Sequence, residues 1–389
     1  MHIVFVNYNV FEGNSGLHIH PLANELSLLG HKVTVLLPAD FPEKSTLSDT
    51  PLYAVQSFSD SNKLDIRDSI VFIAWTPREI VRKKTLRLAK EYNAPYFVHL
   101  EDNEEQIILD NLNLSREQLF AIKTKDIKNK ISENISHPKK YQDFLKKAKG
   151  VTCIINTLED FIPLNIPRLT FWPSCENDFY KIPLAPVSEV KKELQIDNDA
   201  ITIFYPGNLH KSNSKEITTL YESISILNNL EKKITLIRTG KNFTDFTKKI
   251  DLKMPYFIEL GEQTLANNVR YISAANFLIQ PGIDNSFNRY RFPSKIPMFL
   301  ASGRPLIIGD TNFGRYLKDW FNCLKFVKDD PFELAHKITL LIERPLLSQK
   351  LGENGRQFAE DTFSWQKSAD KLLSFLLKTL KQETAPLIH

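Results

Sequence analysis

Cysteine is scarce in this chain. Its 389 residues include three, Cys153, Cys175 and Cys323, far apart and with no CxxC pair. That argues against a disulfide framework or a structural zinc site and fits a reducing compartment. No apolar run approaches the roughly 20 residues a membrane span requires. The start, MHIVFVNYNV, has no basic segment ahead of a long apolar one, which argues against a signal peptide. The expectation is a soluble protein of the cytoplasm. Neither sign of charge dominates: 50 Lys and Arg face 46 Asp and Glu, for a net charge of +4. Charge so dispersed excludes the concentrated basic stripe of a dedicated nucleic-acid binder.

What is present is globular. Hydrophobic residues make up 42% and charged residues 25%, and the length suits two domains. HIVFVN is a short apolar run of the kind that forms a buried parallel strand. The loop NVFEGNSG follows, then HPLANELSLLG, with Leu22, Leu26 and Leu29 at helical spacing and Gly30 placed as a C-cap. HKVTVLLP completes a β-loop-α-β unit. DSIVFIAW, APYFVHL and GVTCIIN are further strands, with helical segments such as PREIVRKKTLRLAKEY between them. The pattern restarts near residue 200 with AITIFYPGN, the helix KEITTLYESISILNN, and KITLIRTG. AANFLIQPG, RPLIIGD and LKFVKDD continue it as strands.

The proline-rich stretch between the halves reads as a linker. The expected division is 1–172, a linker at 173–198, a second domain at 199–363, and a last helix at 364–380. The fold class is α/β, with two Rossmann-like, doubly wound parallel-sheet domains facing across a cleft. Ligands of such sheets bind at the carboxyl ends of the strands.

Three loops offer helix N-termini, which attract anions. FEGNSG carries Gly13 and Gly16; it is not GxGxxG, which disfavours a nicotinamide cofactor. PGNLHKSNSKE carries Gly207, Asn208, Lys211 and Lys215. QPGIDNSFNRYRFPSK carries Gly282, Arg289, Arg291 and Lys295, a cluster of cations suited to a diphosphate. A solvated basic face is the alternative for that loop, and an ordinary turn for each glycine.

PYFVHLEDNEEQ ends a strand at His99, followed by Glu101 and Asp102. There a histidine can hydrogen-bond a sugar hydroxyl and a carboxylate can orient an acceptor. A core histidine with its polar atoms satisfied is the alternative. His18 and His20 point apart on a helix, which argues against a metal site. The lysine-rich stretch from Lys123 to Gly150 suits peripheral contact with anionic lipid, or a solvated surface.

Four segments carry a family resemblance. They are HPLANELSLLGHKVTVLLP, the turn YPGN, FPSKIPMFLASGRPLI, and ENGRQFAEDTFSWQKSADKLLSFL. In this order they resemble the retaining GT-B glycosyltransferases of the family 4 type, which use nucleotide-diphosphate sugars. The resemblance implies a metal-independent enzyme of surface-glycan synthesis with no cofactor beyond its nucleotide-sugar co-substrate. The acceptor is then a glycan, lipid-linked or protein hydroxyl, reached in the cytoplasm or at the inner face of the membrane. Nucleic acid is not an expected partner.

The implied donor residues are Gly207, Asn208, Lys211, Arg238, Lys241, Asp284, Asn285, Arg289 and Ser294. Lys295, matching the lysine of the family's PSK segment, is the implied catalytic cation, with Arg291 of the same loop and His99 as further catalytic candidates. Gly13, Gly16, Glu101 and Asp102 fall on the acceptor side. The chain departs from the family at its Glu-x7-Glu pair. Tyr290 and Met298 occupy those two positions, and Asn208 replaces an arginine common after the glycine turn. Met298 cannot accept ribose hydrogen bonds, so Asp284 or Asn285 is expected to do so. Two readings from other classes stay open: a non-catalytic GT-B binding protein or inactive partner subunit, and a sugar-nucleotide epimerase.

Overall fold

A computed structural model of the chain describes residues 1–10, 13–39, 50–60, 64, 68–121, 131–175, 179, 186–244 and 250–381. Much of the lysine-rich stretch, residues 122–130, lies outside them, as do residues 11 and 12 of the first glycine loop. The chain divides into two compact units. Unit 1 comprises Met1–Pro173, Tyr290–Phe292 and Ser364–His389; unit 2 comprises Ser174–Arg289 and Pro293–Phe363.

Unit 1 is built on a seven-stranded sheet. Its strands are β1 (His2–Val6), β2 (Lys32–Leu37), β3 (Ala54–Ser57), β4 (Ile70–Trp75), β5 (Tyr96–Leu100), β6 (Val151–Cys153) and β7 (Arg168–Thr170). They lie in the order β3-β2-β1-β4-β5-β6-β7, and each neighbouring pair is parallel. Every residue of β1 and β4 is buried, as expected of strands covered on both faces. The helix Trp365–Lys381 presents Trp365, Ala369, Leu372 and Leu376 to the same core as Leu22 and Leu26 of the helix Asn14–Leu28.

Unit 2 repeats the plan with β8 (Ile201–Pro206), β9 (Ile234–Thr239), β10 (Phe257–Glu259), β11 (Phe277–Gln280), β12 (Leu306–Gly309) and β13 (Leu324–Phe326). The order β10-β9-β8-β11-β12-β13 is again that of a doubly wound sheet. Ile217, Leu220, Ile224 and Leu227 form the buried stripe of the helix Ser214–Asn229. In each sheet the strand order reverses beside the first strand of the unit, between β1 and β4 and between β8 and β11. Such switch points open a crevice at the carboxyl ends of the strands.

Three features differ from the sequence reading. The first long helix begins at Asn14, ahead of the periodic segment HPLANELSLLG, and carries Pro21 inside it. Its early turns are tied to Glu101 by Ser15 and His18, a tertiary contact that local periodicity does not encode. Part of the expected linker, Val187–Glu193, is helical, with Glu189 in its first turn and two lysines in its last, the arrangement that suits a helix dipole. The strands β3, β7 and β10 went unread.

Candidate functional site

At the unit 2 switch point, β8 runs into the turn Gly207–Asn208, and β9 into Gly240–Lys241. The two turns are joined backbone to backbone: Gly207 N–H donates to Thr239 and Leu209 N–H to Lys241, both at 2.8 Å. The Asn208 side chain accepts from the Lys241 N–H at 2.8 Å. A side chain at 207 would meet the Tyr205 hydroxyl at 2.6 Å and the Lys295 ammonium at 3.0 Å. Glycine is therefore what lets Lys295 approach this turn. The Lys295 Nζ also lies 4.7 Å from the centre of the Tyr205 ring. A cation from the loop after β11 is thus held against the turn after β8.

Arg238 takes a different place. It is 1% exposed, and its guanidinium donates to Glu259 at 2.9 Å, to the Gly207 carbonyl at 3.0 Å and to Asn242. Burial acts to lower its pKa, but the carboxylate of Glu259 outweighs this and leaves it raised. The geometry makes it a brace for the turn. Lys241 is exposed and pairs with Glu262 at 2.8 Å. Lys211 is exposed, while Lys215 pairs with Asp329 at 2.9 Å.

The loop after β11 is shaped by Asn285, whose side chain accepts from the backbone of Phe287 and Asn288 at 2.9 and 2.8 Å. Asp284 is gripped by two arginines, Arg289 at 2.6 Å and Arg315 at 2.8 Å. Their hydrogen bonds and charge hold its carboxyl below the usual range. Arg315, in the loop after β12, was not among the expected residues; the only sequence signal was its place in a turn following a buried strand. The loop after β11 meets the end of β12 at Gly309, where a Cβ would fall 1.6 Å from the Gly282 carbonyl oxygen. Ser294 is exposed, Lys295 half-buried, and Met298 half-buried on the short helix Ile296–Ala301.

Unit 1 gathers the acceptor-side candidates at the ends of β1, β4 and β5. His99 is 1% exposed. Its Nδ1 meets the Thr152 hydroxyl at 2.8 Å, and its ring stacks on Trp75 at 3.9 Å and on Phe171 at 5.2 Å. Burial pushes its imidazole down to about 3. Glu101 accepts from Ser15 and meets His18 Nδ1 at 2.7 Å. Burial would raise its carboxyl, but the His18 hydrogen bond, both imidazoles and Ser15 win and hold it at about 2. Gly13 stands at the N-cap of the Asn14–Leu28 helix and Gly16 is buried in its first turn.

Asp102 faces Arg78 at 3.8 Å, and Arg78 also lies 3.8 Å from the buried Glu104. The Arg78 guanidinium rests 3.9 Å above the Tyr8 ring, so a cation–aromatic contact spans this switch point too. Arg291 belongs to unit 1 and contributes positive charge near Asp102. Tyr290, beside it, donates to Asp160 at 3.3 Å and packs on Phe161 at 4.8 Å. His20 turns away from His18 to meet the Tyr53 hydroxyl at 2.8 Å. Among the described residues no group of three or more His, Cys, Asp or Glu could hold a metal, and no helix is long and apolar enough to cross a membrane.

No family model matches the chain. An uncharacterized glycosyltransferase of Methanocaldococcus jannaschii is 26% identical over 146 residues, 37% of this chain and 40% of that protein. The match thus spans less than two thirds of that relative. Among solved structures, Anabaena HepE in complex with UDP and glucose has a TM-score of 0.72, covering 96% of this chain and 98% of its own at 12% identity. Sucrose-phosphate synthase from Thermosynechococcus elongatus has a TM-score of 0.70, covering 98% and 100% at 11% identity. Two parallel doubly wound sheets in this order, matched along nearly the whole chain, give this protein the GT-B fold of glycosyltransferases.

Proposed function

We propose that the chain is a retaining glycosyltransferase moving a sugar from a nucleoside-diphosphate donor to an acceptor hydroxyl. The observation that carries the reading is Lys295, whose ammonium lies against the Gly207 turn at the unit 2 switch point. A glycine turn at a strand end admits a phosphate to the backbone, and the ammonium neutralises it. In the transfer, the bond from the anomeric carbon to the diphosphate oxygen breaks as the acceptor oxygen bonds that carbon on the same face. The acceptor proton passes to the departing phosphate. Lys295, aided by Arg289, stabilises the developing charge, and preorganised cations at such a place lower the barrier without a metal.

The acceptor is assigned to unit 1, at the His99–Glu101–Asp102 end of β5. The carboxylates Glu101, Asp102 and Glu104 near Arg78 and His18 favour a neutral, hydroxyl-rich acceptor over an anionic one. A glycan fits that chemistry best, whether free, on a lipid carrier or on a protein, in the setting of surface-glycan synthesis. The likeness to HepE, crystallised with UDP, makes a uridine nucleotide the first donor to test.

A thermal-shift screen against UDP, GDP, ADP and CMP tests donor binding. A ligand at about 100 times its dissociation constant adds roughly 2.7 kcal/mol of stability. Turnover of the matching nucleotide sugar, insensitive to chelator and giving product of unchanged anomeric configuration, completes the test. A second reading, a binding protein without turnover, draws on Met298, an apolar side chain where the family resemblance expects a ribose-binding glutamate. It would be supported by nucleotide-sugar binding with no release of nucleotide from any acceptor mixture.

A further inference from the structure

The loop that leads into β13 is turned inside out. In an ordinary surface loop, polar side chains face water and apolar ones turn inward. In the segment 318–323, Asn322 is 4% exposed and Cys323 is fully buried, while Trp320 is 47% and Phe321 49% exposed. The arrangement is built, not frayed. Asn322 accepts from the Lys318 N–H at 2.8 Å. Asp319 accepts from the N–H groups of Trp320 and Lys325 at 3.0 and 2.8 Å. The Trp320 N–H also donates to the Cys323 carbonyl at 3.0 Å, and Asn354 donates to the Phe321 carbonyl at 2.9 Å.

Trp320 itself has φ of +61°, a left-handed backbone that bulky side chains rarely adopt and that persists only where its surroundings enforce it. The loop thus holds an unfavourable residue conformation while presenting two aromatic rings outward. Each ring carries a cation beside it. The Lys337 ammonium lies 5.6 Å from the Trp320 ring and the Lys318 ammonium 5.2 Å from the Phe321 ring.

We propose that this loop is a membrane-docking element for an anionic lipid surface. Tryptophan and phenylalanine rings partition into the boundary between headgroups and acyl chains. Lysines beside them meet the negative surface potential of phosphatidylglycerol or phosphatidylserine headgroups. The occupant is chosen by this pairing of exposed rings with ammonium groups. An apolar partner surface would match the rings but leave both cations without a counter-charge, which anionic headgroups supply. The element lies in unit 2, apart from the lysine-rich stretch between Lys123 and Gly150, and it stands independently of the proposed transfer activity.

The test is co-sedimentation of the full chain with phosphatidylcholine vesicles with and without phosphatidylglycerol. The expected result is binding to the anionic vesicles, with at least an about tenfold loss of partitioning in Trp320→Ser/Phe321→Ser, as removal of two interfacial rings implies. Lys318→Glu/Lys337→Glu should remove the preference for anionic vesicles. Trp320→Phe should keep binding but lose the blue shift in tryptophan emission that the wild-type chain shows on vesicle addition. Circular dichroism of each variant establishes that it is folded. Equal sedimentation of wild type and the double serine variant overturns the proposal, as does failure of the wild-type chain to sediment with anionic vesicles. Loss of a concentration-dependent dimer in the serine variant, without any vesicle effect, would identify a second copy as the occupant and overturn it equally.

Discussion

Tyr205 belongs to β8 and Lys295 to the segment after β11, on opposite sides of the unit 2 switch point, yet the lysine ammonium lies 4.7 Å from the tyrosine ring. The contact holds the cation at the carboxyl end of β8, where a doubly wound sheet receives its ligand. Tyr205 is buried, so its ring is a fixed surface against which a mobile side chain is confined. A lysine so placed loses less freedom on meeting a diphosphate than one on an open surface.

Lys295→Ala should therefore weaken binding of the responding nucleoside diphosphate by about ten- to a hundredfold, the value of one charge-assisted hydrogen bond. Isothermal titration calorimetry measures this directly. The melting temperature of the unliganded variant should stay near that of the wild-type chain. Unchanged affinity would remove Lys295 from the donor site.

The frame of the molecule was legible in the sequence because parallel strands buried on both faces read as continuous apolar runs. HIVFVN, DSIVFIAW and RPLIIGD each became a strand. The strands that escaped, β3, β7 and β10, are edge strands of three or four residues, partly exposed, so no long apolar run marks them. The site was legible only as candidates for its cations and glycines. Nothing local says that Arg238 faces Glu259 while Lys295 reaches Tyr205, since both pairings depend on how separate strands align. Arg78 and Arg315 went unread for the same reason: each lies in an unremarkable turn and gains meaning from partners distant in sequence.

The contact between the loop after β11 and the end of β12 makes a sharp stability prediction. A methyl group at 309 would fall 1.6 Å from the Gly282 carbonyl oxygen, and both partners are backbone, so no side chain can yield. Gly309→Ala should destabilise unit 2 by at least about 2 kcal/mol, in the range of overpacked cores. Urea denaturation followed by circular dichroism reads it. An effect under about 0.5 kcal/mol, the ordinary size for a surface change, would mean that Gly309 and Gly282 are not in contact.

Acid stability should depend on His99. Burial lowers its imidazole from 6.5 to about 3 in the folded chain, so the fold keeps the ring neutral where the unfolded chain has taken up a proton. Between those two values the unfolded state binds more protons. Stability therefore rises with pH across this window and is lost as pH falls through it. His99→Gln, which removes the titrating group, should reduce the slope of unfolding free energy against pH between about 6.5 and 3, leaving the part due to other buried histidines such as His20 and His137. The acid loss from Glu101, whose carboxyl is lowered from 4.5 to about 2, should remain at the lower end. Parallel pH curves for variant and wild type would show that His99 is solvated in the folded chain.

Met298 gives the most direct probe of the proposed donor site. It is half-buried one position beyond Pro297 in the helix that follows Lys295, so its side chain leaves the same short helix that carries the proposed phosphate cation at its start. A carboxylate there could accept from both ribose hydroxyls, whereas a thioether sulfur is a weak acceptor. Met298→Glu should tighten binding of the nucleoside diphosphate by about tenfold, the lower range for a hydrogen bond to a charged group after part of it is spent on desolvation. Inorganic diphosphate, which has no ribose, supplies the control. Its affinity should stay the same or fall, because the new carboxylate repels it and offers nothing in return. Parallel calorimetric titrations with the two ligands separate the outcomes. Tightening confined to the nucleotide would place the ribose beside this helix; equal weakening of both would put the ribose elsewhere and leave Met298 as packing for the helix alone.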